Sequence, residues 1–238
     1  VTLFWQALTE MDQRYKVFVH LVDGQGKLVG QRDAEPGGGA QLTTLWRKGE
    51  RVVDNYGLLV PLGTPPGEYH LVVGMYSITS GVRLPISSGE DLGQDHIPLG
   101  QVLIIRPPSF PPPEALEIQH RKELGFGPIT LIGYDTFKLG FSHRPEEPLL
   151  PGDTLELRLY WQALRKPSED LVFSLSLKGA TEAILLEEFC PAGPLHPPSS
   201  WERGELVREL HYLSLPPDLS SGRYLLYLHS LEGKPTAL

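Results

Sequence analysis

Apolar and polar residues alternate in short segments along the chain. In residues 1–7, Val, Leu, Trp and Ala alternate with Thr, Phe and Gln, and residues 155–162 show the same alternation, with three Leu and a Trp against Glu, Arg, Tyr and Gln. A period of two is that of a β-strand, and a sheet with one face in the core and one face in water produces it. Together with frequent Gly and Pro turns, the pattern predicts an antiparallel all-β protein.

The chain contains the same passage twice. Residues 46–50 read Trp-Arg-Lys-Gly-Glu, and residues 201–205, at a spacing of 155, read Trp-Glu-Arg-Gly-Glu. Residues 3–8 read Leu-Phe-Trp-Gln-Ala-Leu and return at 159–164 as Leu-Tyr-Trp-Gln-Ala-Leu, at a spacing of 156. Self-similarity at a fixed spacing indicates a repeated structural unit. We therefore expect one unit used twice, with about seven or eight short strands in each copy.

The repeat sets the predicted domain boundaries. Residues 1–106 form the first β-sandwich, which lacks its first strand or strands, residues 107–125 form a Pro-rich linker, and residues 126–238 form the second β-sandwich, which lacks its last strand. Each sandwich is expected to be antiparallel and immunoglobulin-like or jelly-roll-like, and the pattern does not choose between these strand orders. The abrupt ends predict that the chain is a piece of a longer polypeptide.

Aromatic residues at aligned positions mark the two copies. The four tryptophans pair off, Trp5 with Trp161 and Trp46 with Trp201. Exposed tryptophans would form stacking platforms for sugars, but their recurrence favours packing in the core of each copy. A Gly-x-Tyr sequence also recurs after a turn and predicts a tyrosine corner, in which the Tyr hydroxyl bonds back to the backbone. The residues of the two predicted corners are Gly67, Tyr69, Gly222 and Tyr224.

Composition narrows the class of protein. The chain has 238 residues, 40% of them apolar and 21% charged, which is typical of folded domains. The formal net charge of −8 argues against a nucleic-acid partner, because such partners favour basic surfaces. The one cysteine, Cys190, has no internal disulfide partner and is expected to be a buried or half-buried apolar residue. The sequence contains no signal peptide and no apolar run near the ~20 residues of a membrane span.

The sequence contains no catalytic, cofactor or transition-metal motif. It lacks a His-x-x-x-His or Cys-x-x-Cys spacing, a Gly-x-Ser-x-Gly elbow and a phosphate-binding loop, so we predict neither an enzyme nor a cofactor. Glu50 and Glu205 recur and are expected to bond to the backbone at a turn, rather than to act as a carboxylate pair. Loop residues 88–95 supply oxygen atoms for calcium without the EF-hand spacing, and a solvated loop is the preferred interpretation. The calcium candidates are Glu90, Asp91 and Asp95.

Several strings of the first copy resemble a known bacterial module. They are residues 1–8 (Val-Thr-Leu-Phe-Trp-Gln-Ala-Leu), 15–23 (Tyr-Lys-Val-Phe-Val-His-Leu-Val-Asp), 46–50, 65–69 (Pro-Pro-Gly-Glu-Tyr), 73–76 (Val-Gly-Met-Tyr) and 81–85 (Gly-Val-Arg-Leu-Pro). The chain resembles the β-sandwich module found, often in tandem, in the extracytoplasmic C-terminal part of large bacterial membrane proteins. Many of those proteins are described as glycosyltransferases of the dolichyl-phosphate-mannose type, notably in Chloroflexus-like bacteria.

The resemblance implies a location and a role rather than a reaction. It covers nearly all of the first copy but departs in the middle of the second, and it carries no catalytic residue. It implies an extracytoplasmic, cell-surface accessory module of a larger membrane-anchored chain, with a glycan or another envelope protein as partner.

Three functions follow from the sequence. The favoured one is a non-catalytic binding or spacer module. The alternative is a structural subunit of a cell-surface assembly held by β-strand addition, because sandwiches with missing strands expose open edges. The remote alternative is a glycoside-active hydrolase, which requires convergent carboxylates in one copy only.

Overall fold

A computed structural model describes residues 1–139, 148–179, 183–189, 191, 193, 195–230 and 236–238. The prediction for Cys190 lies outside these residues. The strands are β1 (Thr2–Gln6), β2 (Tyr15–Val22), β3 (Leu28–Ala34), β4 (Arg51–Asn55), β5 (Gly67–Ser77), β6 (Ile97–Ile104), β7 (His120–Phe126), β8 (Ile129–Lys138), β9 (Thr154–Ala163), β10 (Phe173–Lys178), β11 (Ala183–Phe189), β12 (Leu206–Ser214), β13 (Leu225–Ser230) and β14 (Thr236–Ala237).

The predicted all-β class with antiparallel sheets is confirmed. The only helical elements in the described part of the chain are short 3₁₀ turns, at Pro36–Gly39, Thr43–Leu45, Pro113–Ala115 and Pro198–Ser200. Three of these four turns begin at a proline. Proline suits the first position of a helical turn, because its fixed φ is already helical and it has no N–H to leave unbonded.

The first compact unit comprises Val1–Pro61 and Glu68–Ile104. Strands β1 and β4 form a two-stranded sheet, and a second sheet has the order β3-β2-β5-β6. Apolar residues of the two sheets meet in one core, because each strand turns alternate side chains inward. The buried members are Val17, Val19, Tyr56 and Val73, with Leu3 and Trp5 packed against them.

The second compact unit comprises Leu62–Gly67 and Ile105–Leu238. Its sheets have the orders β12-β9-β8-β7 and β11-β10-β13-β14. Both contribute to one core, which is larger than that of the first unit. Its buried members are Ile129, Leu131, Leu157, Leu159, Trp161, Ala163, Phe173, Leu175, Trp201, Val207, Leu213 and Leu228.

Equivalent strands have equivalent partners in the two units. Trp5 of β1 lies opposite Val52 of β4, and Trp161 of β9 lies opposite Val207 of β12. On the other sheet, His20 lies opposite Val72 and Ser176 lies opposite Tyr227. The residue numbers of each pair in the second unit exceed those of the equivalent pair in the first unit by 155 or 156. Because a slip of one residue would turn every side chain to the wrong face, identical registers place equivalent residues on equivalent faces.

The strand order is immunoglobulin-like. If β8 to β14 are labelled A to G, B pairs with E in one sheet, and F lies between C and G in the other, as in immunoglobulin domains. The fourth strand, β11, pairs with C instead of E. The first unit has the same order from B to G. This decides the alternative that the sequence left open.

Two predicted boundaries differ from the structure. The segment 107–125, expected to be a linker, ends in strand β7, which pairs with β8, and its Leu116 is buried against Tyr160 and Leu206. The Pro-rich residues 107–113 led to the prediction of a linker, so the strand that follows them was not recognised. The second unit, expected to lack its last strand, has the short β14 beside β13, in the position that β6 occupies in the first unit.

Candidate functional site

The tryptophan that precedes each Gly-Glu turn lies in a core. Trp46 and Trp201 are both buried. Each indole N–H donates to the backbone carbonyl five residues earlier, Trp46 to Gln41 at 3.0 Å and Trp201 to His196 at 2.9 Å. Since the ring is buried and its single donor is used by the backbone, neither tryptophan offers a stacking surface to a sugar.

The recurring glutamates close the same turn. A side-chain oxygen of Glu50 accepts the Arg47 N–H at 2.8 Å, and one of Glu205 accepts the Glu202 N–H at 2.8 Å. The glycine before each glutamate, Gly204 in the second unit, has a positive φ of 86°, which glycine adopts without steric cost. This is the backbone-bonding role predicted for both carboxylates.

The predicted tyrosine corner is present in the second unit. The Tyr224 hydroxyl donates to the carbonyl of Ser220, four residues upstream, at 2.8 Å. Tyr224 itself lies two residues after Gly222. The equivalent Tyr69 is buried and follows Gly67, the first residue of β5. Both tyrosines therefore lie at the corner that leads into strand F of the sandwich.

The three calcium candidates lie in one loop of the first unit. Within the described residues, no group of three or more His, Cys, Asp or Glu side chains could hold a metal ion. The Asp95 carboxylate is engaged by Arg83 at 3.2 Å and by His96 at 2.6 Å. The hydrogen bond from His96, with the charge of Arg83, holds the pKa of Asp95 below its ordinary value against the effect of burial. Glu90 and Asp91 are on the surface of the same loop.

An aromatic and charged cluster covers the outer face of β2 in the first unit. Phe18 is fully buried there, and the Arg83 guanidinium lies 4.4 Å from the centre of its ring. His20 Nε2 lies 3.0 Å from an Asp33 carboxylate oxygen. Burial, with the nearby Asp33, raises the pKa of Tyr76 to about 12.

This cluster was not predicted, although the sequence contains a signal for it. A glycine within a strand often marks a close approach by another group, and Gly74 lies opposite Phe18 in the β2–β5 pair. A Cβ at Gly74 would lie 2.4 Å from the Phe18 ring and 2.7 Å from the Asp95 carbonyl oxygen. Packing against Phe18 therefore explains the glycine of the string Val-Gly-Met-Tyr at 73–76.

The second unit contains a hydrogen-bonded network of a serine, a histidine and a glutamate. His196 Nε2 lies 2.8 Å from Glu205 Oε1, and Ser200 Oγ lies 3.1 Å from His196 Nδ1. Arg106 completes the network, 3.3 Å from the Glu205 carboxylate and bonded to the Ser200 carbonyl at 2.8 Å. Burial alone would raise the pKa of Glu205, but the hydrogen bonds from His196 and the Glu202 N–H, with the Arg106 charge, outweigh burial and lower that pKa.

The serine of this network also bonds to the backbone. Ser200 Oγ donates its one proton to the Pro197 carbonyl at 2.7 Å, and a carbonyl oxygen can only accept. The Pro197 carbonyl therefore competes with His196 Nδ1, which lies 3.1 Å from the same hydroxyl oxygen, for the single hydroxyl proton. The equivalent residues of the first unit are Gln41 and Leu45, so the network belongs to one copy only.

The sheet of β1 and β4 has an uncovered face and a free edge. Phe4 and Val53 lie opposite each other on this face and are 79% and 51% exposed. In the described part of the chain, β4 is the only strand that pairs with β1. At the equivalent position of the second unit, Tyr160 is 5% exposed and β9 pairs with β8 as well as with β12. No sequence motif indicated that Phe4 would be exposed.

The comparisons with known proteins identify no family. The chain matches no protein-family model, and no curated protein matches it. Among the described residues, no helix has the length and apolar character needed to cross a membrane. Function must therefore be inferred from the arrangement of the residues described above.

Proposed function

We propose that this chain is a non-catalytic accessory module, built from two copies of one β-sandwich, that acts outside the cytoplasm as a spacer or binding element of a larger membrane-associated protein. A glycan or another envelope protein is the proposed ligand. The resemblance of the first copy to extracytoplasmic bacterial modules supports the location, and the matching strand registers support the duplication.

One observation supports the non-catalytic role above all. Recurring polar side chains are used to hold the backbone: Glu50 and Glu205 accept turn N–H groups, and Trp46 and Trp201 donate to carbonyls. A catalyst needs polar groups that are preorganised toward a substrate. The Ser200 network, which occurs once, directs its proton to the backbone.

The catalytic question is tested with the whole chain and its Ser200→Ala variant. Both are assayed against panels of aryl esters and aryl glycosides. We expect no hydrolysis above that of buffer from either protein. Hydrolysis that disappears in Ser200→Ala, with the melting temperature unchanged, would overturn the non-catalytic proposal.

Binding and location are tested separately. Titration of the chain against glycans, followed by calorimetry, separates a carbohydrate-binding module from a spacer, since a spacer gives no heat of binding with any glycan. Protease treatment of intact cells that express the parent protein should cleave this segment without lysis. Protection until lysis would contradict the extracytoplasmic location.

The second candidate function is a structural subunit held by β-strand addition. The free edge of β1 favours it, because an unpaired row of N–H and C=O groups is a template for another strand. If copies of the chain associate in this way, sedimentation velocity should show a molecular mass that increases with concentration. A monomer at every concentration would exclude self-assembly.

A further inference from the structure

We propose that the aromatic and charged cluster of the first unit is a binding site for a guanidinium group, which the side chain of Arg83 occupies until an arginine side chain of a peptide ligand takes its place. This Phe18 cluster consists of Phe18, His20, Asp33, Tyr76, Arg83 and Asp95. The inference goes beyond the proposed function and does not depend on it, because a module in any location could hold such a group.

The aromatic part of the site is built around Phe18. The Phe18 ring is completely buried, and its centre lies 6.3 Å from that of the stacked Tyr76 ring and 4.6 Å from that of the His20 ring. The Arg83 guanidinium carbon lies 4.4 Å from the centre of the Phe18 ring, a distance at which the π face attracts a cation. A guanidinium is planar and weakly hydrated, so it suits such a face better than the compact ammonium of lysine.

Two carboxylates supply the negative charge of the site. An Asp95 oxygen lies 3.2 Å from a guanidinium nitrogen of Arg83. Asp33 lies 3.0 Å from His20 Nε2 and accepts a hydrogen bond from the Tyr76 hydroxyl. With the histidine counted as neutral, the two carboxylates outnumber the one arginine of the cluster. The formal net charge of −8 on the whole chain also attracts cationic ligands.

The contacts of Arg83 allow its side chain to be exchanged. The Arg83 side chain is 40% exposed and that of Asp95 is 48% exposed, and an ion pair so exposed contributes little to stability. The backbone of Arg83 is bridged to Tyr76, and the next residue, Leu84, donates its N–H to the Met75 carbonyl at 2.8 Å. The side chain can therefore rotate into solvent, as exposed side chains do within nanoseconds, while the backbone keeps its position.

A stacked arginine in the second unit shows what a fixed arrangement looks like. Arg158, within β9, lies 4.2 Å from the centre of the Phe137 ring. Its strand is paired on both sides, and its guanidinium bonds at 2.6 Å to Glu156, whose side chain is only 11% exposed. Loss of one partner of a buried ion pair is costly, because the other charge is left uncompensated. Arg158 is therefore structural, whereas Arg83 is not held in this way.

The experiment removes the Arg83 side chain and supplies its guanidinium group in solution. The complete Arg83→Ala chain is titrated with N-acetyl-arginine amide, and binding is followed by the shifts of the Phe18 and Gly74 amide resonances in NMR spectra. We expect saturable binding with a Kd of about 10 mM or lower. The natural chain should bind at least about fivefold more weakly, because its own Arg83 competes for the site.

Matched ligands and variants isolate the role of the guanidinium. N-acetyl-citrulline amide has the same shape without the charge and should not bind, and N-acetyl-lysine amide should bind at least about threefold more weakly than the arginine ligand. Arg51→Ala removes the same charge from an exposed position of the first unit and should bind like the natural chain. Asp95→Asn, added to Arg83→Ala, should weaken binding at least about fivefold, because it removes a charged acceptor.

Melting temperatures establish that each variant is folded, and Arg83→Gln, which keeps the stem of the side chain, replaces Arg83→Ala if that variant is not. Three results would overturn the inference. These are no binding by the folded variant up to about 100 mM ligand, equal binding of the arginine and citrulline ligands, and equal binding by the variant and the natural chain. None of them bears on catalysis, glycan binding or location, so the proposed function would stand.

Discussion

The sheet of β1 and β4 and the sheet that contains β9 and β12 have the same pairing register but different surroundings. Trp5 and Trp161 occupy equivalent positions, yet Trp161 is completely buried and Trp5 is half-buried. On the other face, the exposed fraction is 79% for Phe4 and 5% for Tyr160. The difference comes from β7, β8 and the segment that contains Leu116, which cover the second sheet and have no described equivalent on the first.

The comparison shows that register and cover are determined separately. The register of β1 with β4 follows from the alternation of apolar and polar residues in the two strands. It also follows from the turn before β4 that Glu50 closes, which both units contain. Cover depends on strands that come from elsewhere in the chain. Similar strand sequences are therefore covered on both faces in one unit and on one face only in the other.

The largest expected effect is the loss of a core tryptophan. Trp161→Ala should lower the free energy of unfolding by about 3–5 kcal/mol, because it leaves a cavity in a closed core. Trp5→Ala should cost clearly less, since part of its ring is already in water. Urea unfolding of the complete chain measures both, and equal losses would contradict the difference in cover.

A smaller loss of stability is expected for a substitution in the Phe18 cluster of the first unit. Gly74→Ala would place a Cβ 2.4 Å from the Phe18 ring and should cost about 1–3 kcal/mol. Gly125→Ala is the matched control, because a Cβ there meets no atom within 4 Å. We expect this control to be neutral or slightly stabilising. A neutral Gly74→Ala would show that the Phe18 cluster is loosely packed.

The third prediction concerns acid stability. The pKa of Glu205 is lower in the folded chain than its ordinary value of 4.5, so the folded state favours the charged form. That stabilisation is complete above pH 4.5 and is lost as the pH falls through the folded pKa. The urea concentration at the midpoint of unfolding should fall between pH 7 and pH 4, and this fall should be smaller for Glu205→Gln than for the natural chain.

Glu50→Gln is the control for this prediction. Glu50 closes the equivalent turn by accepting the backbone N–H of Arg47, with no histidine or arginine side chain among its described hydrogen-bond partners. The acid sensitivity of the chain should change little in this variant. If Glu50→Gln and Glu205→Gln have the same effect, the His196 and Arg106 contacts do not set the acid response.

The smallest expected effect is at the tyrosine corner. Tyr224→Phe removes the hydrogen bond to the Ser220 carbonyl and should cost about 0.5–1.5 kcal/mol. Thermal unfolding of the chain checks this value. No change would mean that water replaces the hydroxyl as the donor to Ser220.

Residues whose role is local were predictable from the sequence. Glu50 and Glu205 each sit after a glycine at a turn, and their backbone bonds could be expected from that position alone. Strand positions followed from the alternation of apolar and polar residues. The Phe18 cluster was not predicted, because Phe18 and Arg83 are far apart in the sequence. The Ser200 network and the β7–β8 hairpin join residues that are close in the sequence. They were missed because no catalytic spacing marks the first and because a run of prolines precedes the second.

The amino-acid sequence by itself determined the all-β class and the inward direction of the tryptophans, because a period of two and a recurring string are visible without knowledge of contacts. Only the tertiary structure decided that the strand order is immunoglobulin-like, that β14 pairs with β13, and that, among the described strands, β1 pairs with β4 alone beside an exposed Phe4. The physical reason is that an alternating pattern specifies which side of a strand is buried, whereas the identity of its neighbours depends on contacts between residues far apart in the chain.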